Sequence, residues 1–464
     1  MVKLVNKVVN KPVKKVAVIG AGWAGCSAAV ALAEQGHQVS LIEATRSLGG
    51  RARKVEINGY ALDNGQHILL GAYTATLAIL RKIGIDTETT LLRLPLQMCY
   101  PENSQGMQFV APALPAPLHL LIALLRAKGL SREDKLSLAR FSTTARWMGW
   151  QLHQDCSVSE LLQRFDQTER LCKLMWVPLC IAALNTPPER ASAKIFLNVL
   201  RDSLGAHRAA SDMLLPRVDL SALLPEAAAA FITQRGGEIL TGLSVKKLTQ
   251  HSDQSWELES NAGNQATNVK WDAVIIATDP DHARRLLDNC SVTDNTSAPA
   301  IHTDFSYEPI TTCYLQYPKE SSLPRPFFAL IDDAASKRWG QFVFDRGQLH
   351  QDQKGLMAVV VSASTHAIEL SHAELAADIA QQLAKDFQSA ALATPIWHQI
   401  ISEKRATFSC TAGLKRPLNQ TGMAGLLIAG DYTDCDYPAT LEAAVRSGEK
   451  AAQELSASLE IVRK

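Results

Sequence analysis

The chain alternates between short, wholly apolar runs and longer stretches with a helical period. Residues 16–19 (VAVI) form an apolar run of a length that suits a buried strand. Gly20-Ala21-Gly22-Trp23-Ala24-Gly25 follows, and a helical pattern over residues 26–35 stops at Gly36, a residue suited to closing a helix. A second apolar run, residues 39–42, ends at Glu43. Residues 55–62 predict a hairpin around Asn58-Gly59, and residues 72–84 a helix closed by Gly84. Residues 91–113 predict strands with a proline-rich loop, and residues 117–126 (PLHLLIALLR) a strongly apolar helix.

Residues 131–203 read as mostly helical, with Ser131-Asp134 and Ser157-Glu160 spaced as capping boxes. Another helix is expected over 216–235, closing at Gly236-Gly237. Residues 238–240, 245–248, 255–259 and 270–277 predict strands, the last returning the chain to the first sheet. Residues 310–317, 327–331, 341–344 and 356–362 are strand-like, before a capped helix over 371–387 with Ser371 and Glu374 as its box. The last apolar run, 425–431, ends in Gly430-Asp431. Pro438-Ala439-Thr440 then opens a helix over 441–455, with Thr440 as N-cap and Glu442 in the first turn.

A lone G-x-G-x-x-G is a weak signal. Here strand, glycines, helix, second strand and acid occur in the order a dinucleotide site requires. Gly20 allows the tight turn, Gly22 lets a pyrophosphate approach the backbone, and Gly25 lets helix and strand pack closely. The helix start, through Trp23 and Ala24, offers free N–H groups and the positive end of its dipole. Glu43 is placed to accept from ribose hydroxyls. The turn Arg46-Ser47-Leu48-Gly49-Gly50-Arg51 sets a cation to run along a diphosphate. In Asp63-Asn64-Gly65-Gln66-His67, the glycine permits close approach to a flat ligand. His67 there reads either as a proton-transfer group or as a hydrogen-bonded loop histidine. At the other end of the chain, a helix N-terminus at Thr440-Leu441, aimed at a flavin pyrimidine ring, would stabilise the negative charge of reduction. Asp431 is placed to bind ribityl or phosphate-side groups.

Composition narrows the picture. A chain of 464 residues, 47% hydrophobic, can fill two or three domains. Its net charge of +1, with no basic stripe interleaved with aromatics, argues against nucleic acid. Nine scattered cysteines without a C-x-x-C argue against a zinc ribbon and for a reducing cytosol, and no metal site is expected. The leader carries Lys3, Lys7, Lys11, Lys14 and Lys15 but no continuous apolar core, so it reads as a solvated leader rather than a signal peptide. No apolar run reaches the roughly 18 residues needed to span a bilayer. Residues 117–128 read either as a buried or tunnel-lining helix or as an interfacial one, with Arg126, Lys128 and Arg132 at the headgroups. Trp147, Trp150 and Trp176 read either as core or as a wall for a greasy substrate.

An N-terminal fingerprint and a C-terminal Gly-Asp strand–helix unit, separated by two insertions, resemble the FAD-dependent amine oxidase and phytoene desaturase superfamily. The matching positions are Gly20, Gly22, Gly25, Glu43, Arg46, Gly49, Gly50, Arg51, Gly430 and Asp431. The resemblance implies an α/β fold: a Rossmann-like FAD-binding domain split along the chain, plus an α+β substrate domain with a mixed sheet and helical cap. The segments expected are 14–71, 215–285 and 401–464 for FAD, and 72–214 and 286–400 for substrate. It also implies an adenine contact from the backbone of Val245, and cofactor contacts from Gly65, Gln66, Thr440 and Leu441.

Three stretches carry a closer resemblance. They are residues 63–67, residues 176–180 with 185–190 (Asn185-Thr186-Pro187-Pro188-Glu189-Arg190), and residues 438–448. They are similar to the squalene-associated FAD-dependent desaturases, the hydroxysqualene dehydroxylases of hopanoid biosynthesis. What this implies is reductive removal of the hydroxyl of a long-chain isoprenoid alcohol, giving squalene and water, with hydride from N5 of the reduced flavin and an electron donor left open. The expected proton donor is His67, with Asp63 as its orienting partner or as the residue that fixes the turn. FAD is expected to be non-covalent, since the surroundings of Cys435 do not match an attachment pattern. The expected location is the cytoplasm, with peripheral contact to the membrane through 117–128. Three alternatives stay open: a polyene desaturase, a flavin amine oxidase, and a flavin-free isoprenoid escort protein, which would typically lack the intact fingerprint.

Overall fold

The computed structural model describes residues 13–261, 269–292 and 304–461. Lys3, Lys7 and Lys11 of the leader lie outside the described residues. The apolar runs assemble a five-stranded parallel sheet in the order Glu238–Thr241, Gln38–Glu43, Lys15–Ile19, Ala273–Ile276, Leu426–Ile428. The central strands are mostly apolar because both faces are covered, and exposed polar residues fall at strand ends such as Lys15, Gln38 and Glu238. Val16, Val18, Leu41, Ile275 and Leu427 enter one core, while Ala17, Ile19, Ile42, Ile276 and Ile428 enter the other. That is the two-residue alternation of a strand, spent on two cores at once. The helices Trp23–Glu34 and Leu441–Ile461 cover one face together. Ser27 Oγ donates to the Val445 carbonyl at 3.0 Å, and a Cβ on Gly448 would lie 2.1 Å from the Ala24 carbonyl oxygen.

A second five-stranded sheet has the order Phe327–Ala329, Phe342–Asp345, Leu356–Ser362, Tyr307–Gln316, Trp397–Phe408. It is antiparallel throughout, with Tyr307–Gln316 set between two strands that come later in the chain. The mixed pairing expected of it occurs instead in the small sheet of Val245–Gln250, Trp256–Ser260 and Ser291–Val292. The strand Trp397–Phe408 runs through residue 400, where the sequence pattern puts a segment junction. Helices between residues 118 and 200 form the cap, centred on Trp176, whose ring lies 4.6 Å from Phe141 and 6.2 Å from Phe196. Trp176 is therefore core and Trp150 is buried, whereas Trp147 is exposed.

Other departures have local causes. The first helix begins at Trp23, inside the fingerprint, with Gly22 as its N-cap, rather than at residue 26. Residues 216–235 are not one helix: Met213–Pro216 is a strand, and Leu220–Leu223 and Pro225–Gln234 are separate helices. Pro225 forces Leu224 out of the helical region, to φ −132°. Ser131 and Ser371 make reciprocal capping boxes. Ser157 makes only half of one, since the Glu160 carboxylate is taken by Arg164.

Candidate active site

The fingerprint closes on the turn after Glu43. Gly49 N donates to the Ala21 carbonyl at 2.8 Å, and a Cβ on Gly50 would lie 3.2 Å from Gly22 Cα. A Cβ on Gly25 would lie 1.8 Å from the Gly20 carbonyl oxygen, so that position admits glycine alone. Gly22 differs: nothing lies within 4 Å of where its Cβ would be. The helix has no side-chain cap and no acid in its first turn. Cys26 is the first to donate into it, to the Gly22 carbonyl at 2.9 Å, which leaves the preceding N–H groups without intrahelical acceptors. Trp23 is buried, with its indole N–H on the Ala52 carbonyl at 3.2 Å, so it and Ala24 offer backbone only. Glu43 is buried at its strand end and accepts from Ala21 N at 2.8 Å and from Thr45 N and Oγ1 at 2.9 Å. Arg46 is exposed beyond it. Gly242 N and Leu243 N donate to the carbonyls of Thr45 and Glu43, which brings Val245 to the same end of the sheet.

An early and a late segment of the chain meet here. Arg51 Nη2 lies 2.7 Å from Asp431 Oδ1, across a separation of 380 residues, and Arg51 Nη1 donates to the Ala406 carbonyl. Gly430 N donates to Ser447 Oγ, and the Tyr432 ring packs where a Gly430 side chain would stand. Thr440 Oγ1 accepts from Ala443 N and so caps the C-terminal helix, which begins at Leu441. Glu442 does not face this space. It is fully buried and accepts from Ala75 N, Thr76 N and Thr76 Oγ1, capping the helix Thr74–Lys82.

The loop after Asp63 rests on the second sheet. Tyr314 Oη donates to the Asp63 carbonyl at 2.9 Å. Of the two roles left open for Asp63, its hydrogen bonds serve the turn rather than His67. The Asp63 carboxylate accepts from Leu220 N at 2.8 Å and faces Arg346 Nη1 at 3.4 Å, and His67 Nδ1 is bonded to the Gly65 carbonyl at 2.7 Å. Asp63 thus fixes the turn, and the ring is oriented by backbone. With Nδ1 carrying the hydrogen, Nε2 is the nitrogen left to meet a ligand. Burial holds the imidazole below its ordinary pKa, against the Gly65 hydrogen bond and the Asp63 charge. Burial pushes the Asp63 carboxyl upward, against Arg346 and the Leu220 N–H. A Cβ on Gly65 would lie 3.6 Å from His67 Cε1, an ordinary contact, so the ring itself does not require glycine here. Gln66 Oε1 accepts from Arg346 Nη1 at 2.7 Å.

The match to a family model settles the chemical class. Residues 23–456 match the model of flavin containing amine oxidoreductases. The chain belongs to that family. Its cofactor is a flavin, and it is an FAD-dependent oxidoreductase. It is 30% identical over 453 residues to the hydroxysqualene dehydroxylase of Rhodopseudomonas palustris, which covers 95% of this chain and 97% of that one. Hydroxysqualene dehydroxylases of Sinorhizobium fredii and Zymomonas mobilis are 27% and 26% identical, each covering at least 94% of this chain and 97% of theirs. The zeta-carotene desaturase of a Synechocystis strain is 23% identical, covering 96% and 97%. Among solved structures, an oxidoreductase from Methanosarcina mazei superposes with a TM-score of 0.69 at 16% identity, over 95% of this chain and all of that one, a likeness of fold alone.

The geometry of this flavin oxidoreductase fits a dinucleotide. The free helix N-terminus, the open space before Gly22 and the buried Glu43 offer donors, room and an acceptor in one row. Arg346 has no counterpart in the motif reading, because nothing in its local sequence marks it. Its role appears only once Asp63 and Gln66 are folded against it. The segment 185–190 proves to be a clasp: Asn185 Nδ2 donates to Thr407 Oγ1 at 2.9 Å, its Oδ1 accepts from Ala363 N, and Arg190 pairs with buried Glu308 at 2.5 Å. Cys435 Sγ lies 3.0 Å from Arg416 Nη2.

Proposed function

We propose that this flavoenzyme is a hydroxysqualene dehydroxylase, removing the hydroxyl of a C30 isoprenoid alcohol to give squalene and water. The observation that carries the reading is the end-to-end likeness to three hydroxysqualene dehydroxylases, at higher identity than to the carotene desaturases of the same family. Bound FAD supplies the hydride. In this proposal FAD is held without a covalent bond, by the helix start at Gly22 to Gly25, by Glu43 at the ribose, by Arg46 and the turn Gly49 to Arg51 at the diphosphate, by Val245 at the adenine, and by Gly65, Gln66, Gly430, Asp431, Thr440 and Leu441 at the flavin half. Residues 14–71, 215–285 and 401–464 make up most of that cradle.

The chain's own part in the chemistry is proton delivery and exclusion of water. Ionising an allylic alcohol needs a proton on the leaving oxygen and a dry surrounding for the cation. We assign the donor role to His67, acting through Nε2 in its protonated form, with Nδ1 anchored on Gly65. Arg346 and Asp63 keep the loop in place. A substrate this apolar partitions into lipid, so the enzyme takes it at a membrane surface.

The test is incubation of the purified holoenzyme with hydroxysqualene and a flavin reductant without oxygen, with extraction for squalene. Squalene formation that depends on the reductant supports the reading. Conversion of a polyene without reductant, and no squalene, replaces it with the desaturase reading. The same assay, run with candidate donors, identifies the physiological reductant.

A further inference from the structure

The exposed apolar side chains of this molecule are concentrated. Among the described residues, six of the ten exposed large hydrophobics lie between residues 114 and 147: Leu114, Leu118, Leu121, Leu125, Leu136 and Trp147. Single exposed leucines are ordinary, but a contiguous group marks a surface that something covers. The helix Leu118–Arg126 buries His119, Ala123 and Leu124 and turns Leu118, Leu121 and Leu125 outward, at positions i, i+3 and i+7. The helix Arg132–Trp147 buries Leu138, Phe141 and Ala145, and presents Leu136, Arg140 and Trp147 to solvent, Trp147 at 86% exposure. Lys135 Nζ ties the two at their shared turn by donating to the Leu125 carbonyl at 2.9 Å. At the far end, Arg146 of the second helix lies close enough to His119 of the first to add to the burial and the Arg208 charge that depress its pKa.

Five of the exposed polar residues on and between these helices are cationic. Arg126, Lys128, Arg132, Arg140 and Arg146 are all exposed, whereas Asp134 is buried in the reciprocal cap and leaves Glu133 as the exposed acid of the second helix's first turn. In a chain of net charge +1 this is a local excess. Apolar side chains within a basic rim complement an anionic lipid surface, not a neutral protein groove.

We propose that these two helices form one docking face for an anionic bilayer, with the leucines and Trp147 in the headgroup layer and the arginines and lysine on lipid phosphates. No helix among the described residues is long and apolar enough to cross a membrane, so contact here is from one side. The face also backs onto the candidate site. His119 Nε2 lies 3.5 Å from Ser211 Oγ, and the Asp212 carbonyl accepts from Gly71 N, at the end of the His67 loop. Beyond the second helix, Trp150 packs on Gly205, in the turn whose Asp202 accepts from Tyr437 just ahead of the C-terminal helix. Lipid held by this face lies behind the elements that flank the proposed flavin half. The inference deepens the membrane part of the proposed function, but docking itself is read without substrate.

Flotation of the flavin-loaded enzyme with vesicles of phosphatidylcholine, with and without phosphatidylglycerol, tests it. The wild type is expected to float with phosphatidylglycerol-containing vesicles, less so in high salt. The Leu121→Glu/Leu125→Glu and Trp147→Glu variants are expected to bind at least about tenfold more weakly. Leu418→Glu, at an exposed leucine elsewhere, is expected to bind like the wild type. Equal flotation of wild type and face variants overturns the proposal, as does no flotation of the wild type. A fall in molar mass on Leu121→Glu/Leu125→Glu without lipid also overturns it, since the face would then pair two copies of the chain. Hydroxysqualene conversion in detergent micelles separates the two readings: its absence in the wild type removes the substrate assignment and leaves the vesicle result standing.

Discussion

Arg346 and Asp63, 283 residues apart, form an ion pair with 1% and 2% of their side-chain surfaces exposed. The pair ties the second sheet to the loop that carries His67, and Gln66 shares the same guanidinium nitrogen. Arg346 Nε donates to Gln353 Oε1 at 2.8 Å, and Gln353 Nε2 donates to the Ala61 carbonyl, so one cation holds both ends of the turn.

Removing one member strands the other charge in the interior. Arg346→Met is expected to cost about 3–5 kcal/mol of stability. The double variant Arg346→Met/Asp63→Asn should recover part of that, because no charge is left unpaired. Denaturant unfolding of the flavin-loaded proteins measures both. A loss below about 1 kcal/mol for Arg346→Met would show that the pair carries no such burden.

Burial depresses the His67 pKa, so the ring is neutral near pH 7 and gains a proton only as pH falls through a value below about 6.5. A donor acting through Nε2 therefore makes kcat/KM rise toward acid pH. His67→Gln should lose that limb together with about 10²- to 10⁴-fold in rate, with flavin content unchanged. A wild-type profile flat through this range would remove His67 from proton transfer.

The fingerprint glycines differ in what a methyl group meets. Gly25→Ala puts a carbon 1.8 Å from the Gly20 carbonyl oxygen and is expected to abolish folding of the first βα unit and flavin retention together. Gly22→Ala meets nothing in the protein. It should leave the thermal midpoint of the apoprotein close to wild type while weakening FAD binding at least about tenfold, roughly 1.4 kcal/mol. Flavin titration of the two apoproteins, with circular dichroism, separates these effects. Normal FAD affinity in Gly22→Ala would place the diphosphate elsewhere.

Cys435 is engaged by Arg416 and is assigned no bond to flavin. Acid precipitation of the holoenzyme should release all of its flavin into the supernatant, and Cys435→Ser should keep its flavin content. Yellow colour left in the pellet would contradict both expectations.

The cofactor end of the fold was legible because glycine spacing and apolar runs are local signals. The run 16–19 and the glycines after it mark strand, turn and helix locally, and the strand at 273–276 is marked by an apolar run ending in small residues. The single helix expected over 216–235 gives way to two, because Pro225 cannot continue the helix Leu220–Leu223 and instead starts a new one. Sequence alone leaves Asp63 either as the partner of His67 or as the residue that fixes the turn. The charge that claims it, Arg346, opens the turn after the strand Phe342–Asp345, and no pattern within a window of residues reveals such a partner. The outward face of Leu118–Arg126 was undecided for the same reason, since an apolar helix shows which side is covered only when its neighbours are present.

The order of strands in the parallel sheet has a bearing on how the enzyme is made. The strand Ala273–Ile276 pairs on one side with Lys15–Ile19 and on the other with Leu426–Ile428. Asp431, which meets Arg51, follows that last strand. During translation the ribosome must release almost the entire polypeptide before the sheet and the Arg51–Asp431 pair can be complete. A chain that ends before Leu426 lacks both the edge strand and the partner of Arg51, and is expected to purify without flavin colour.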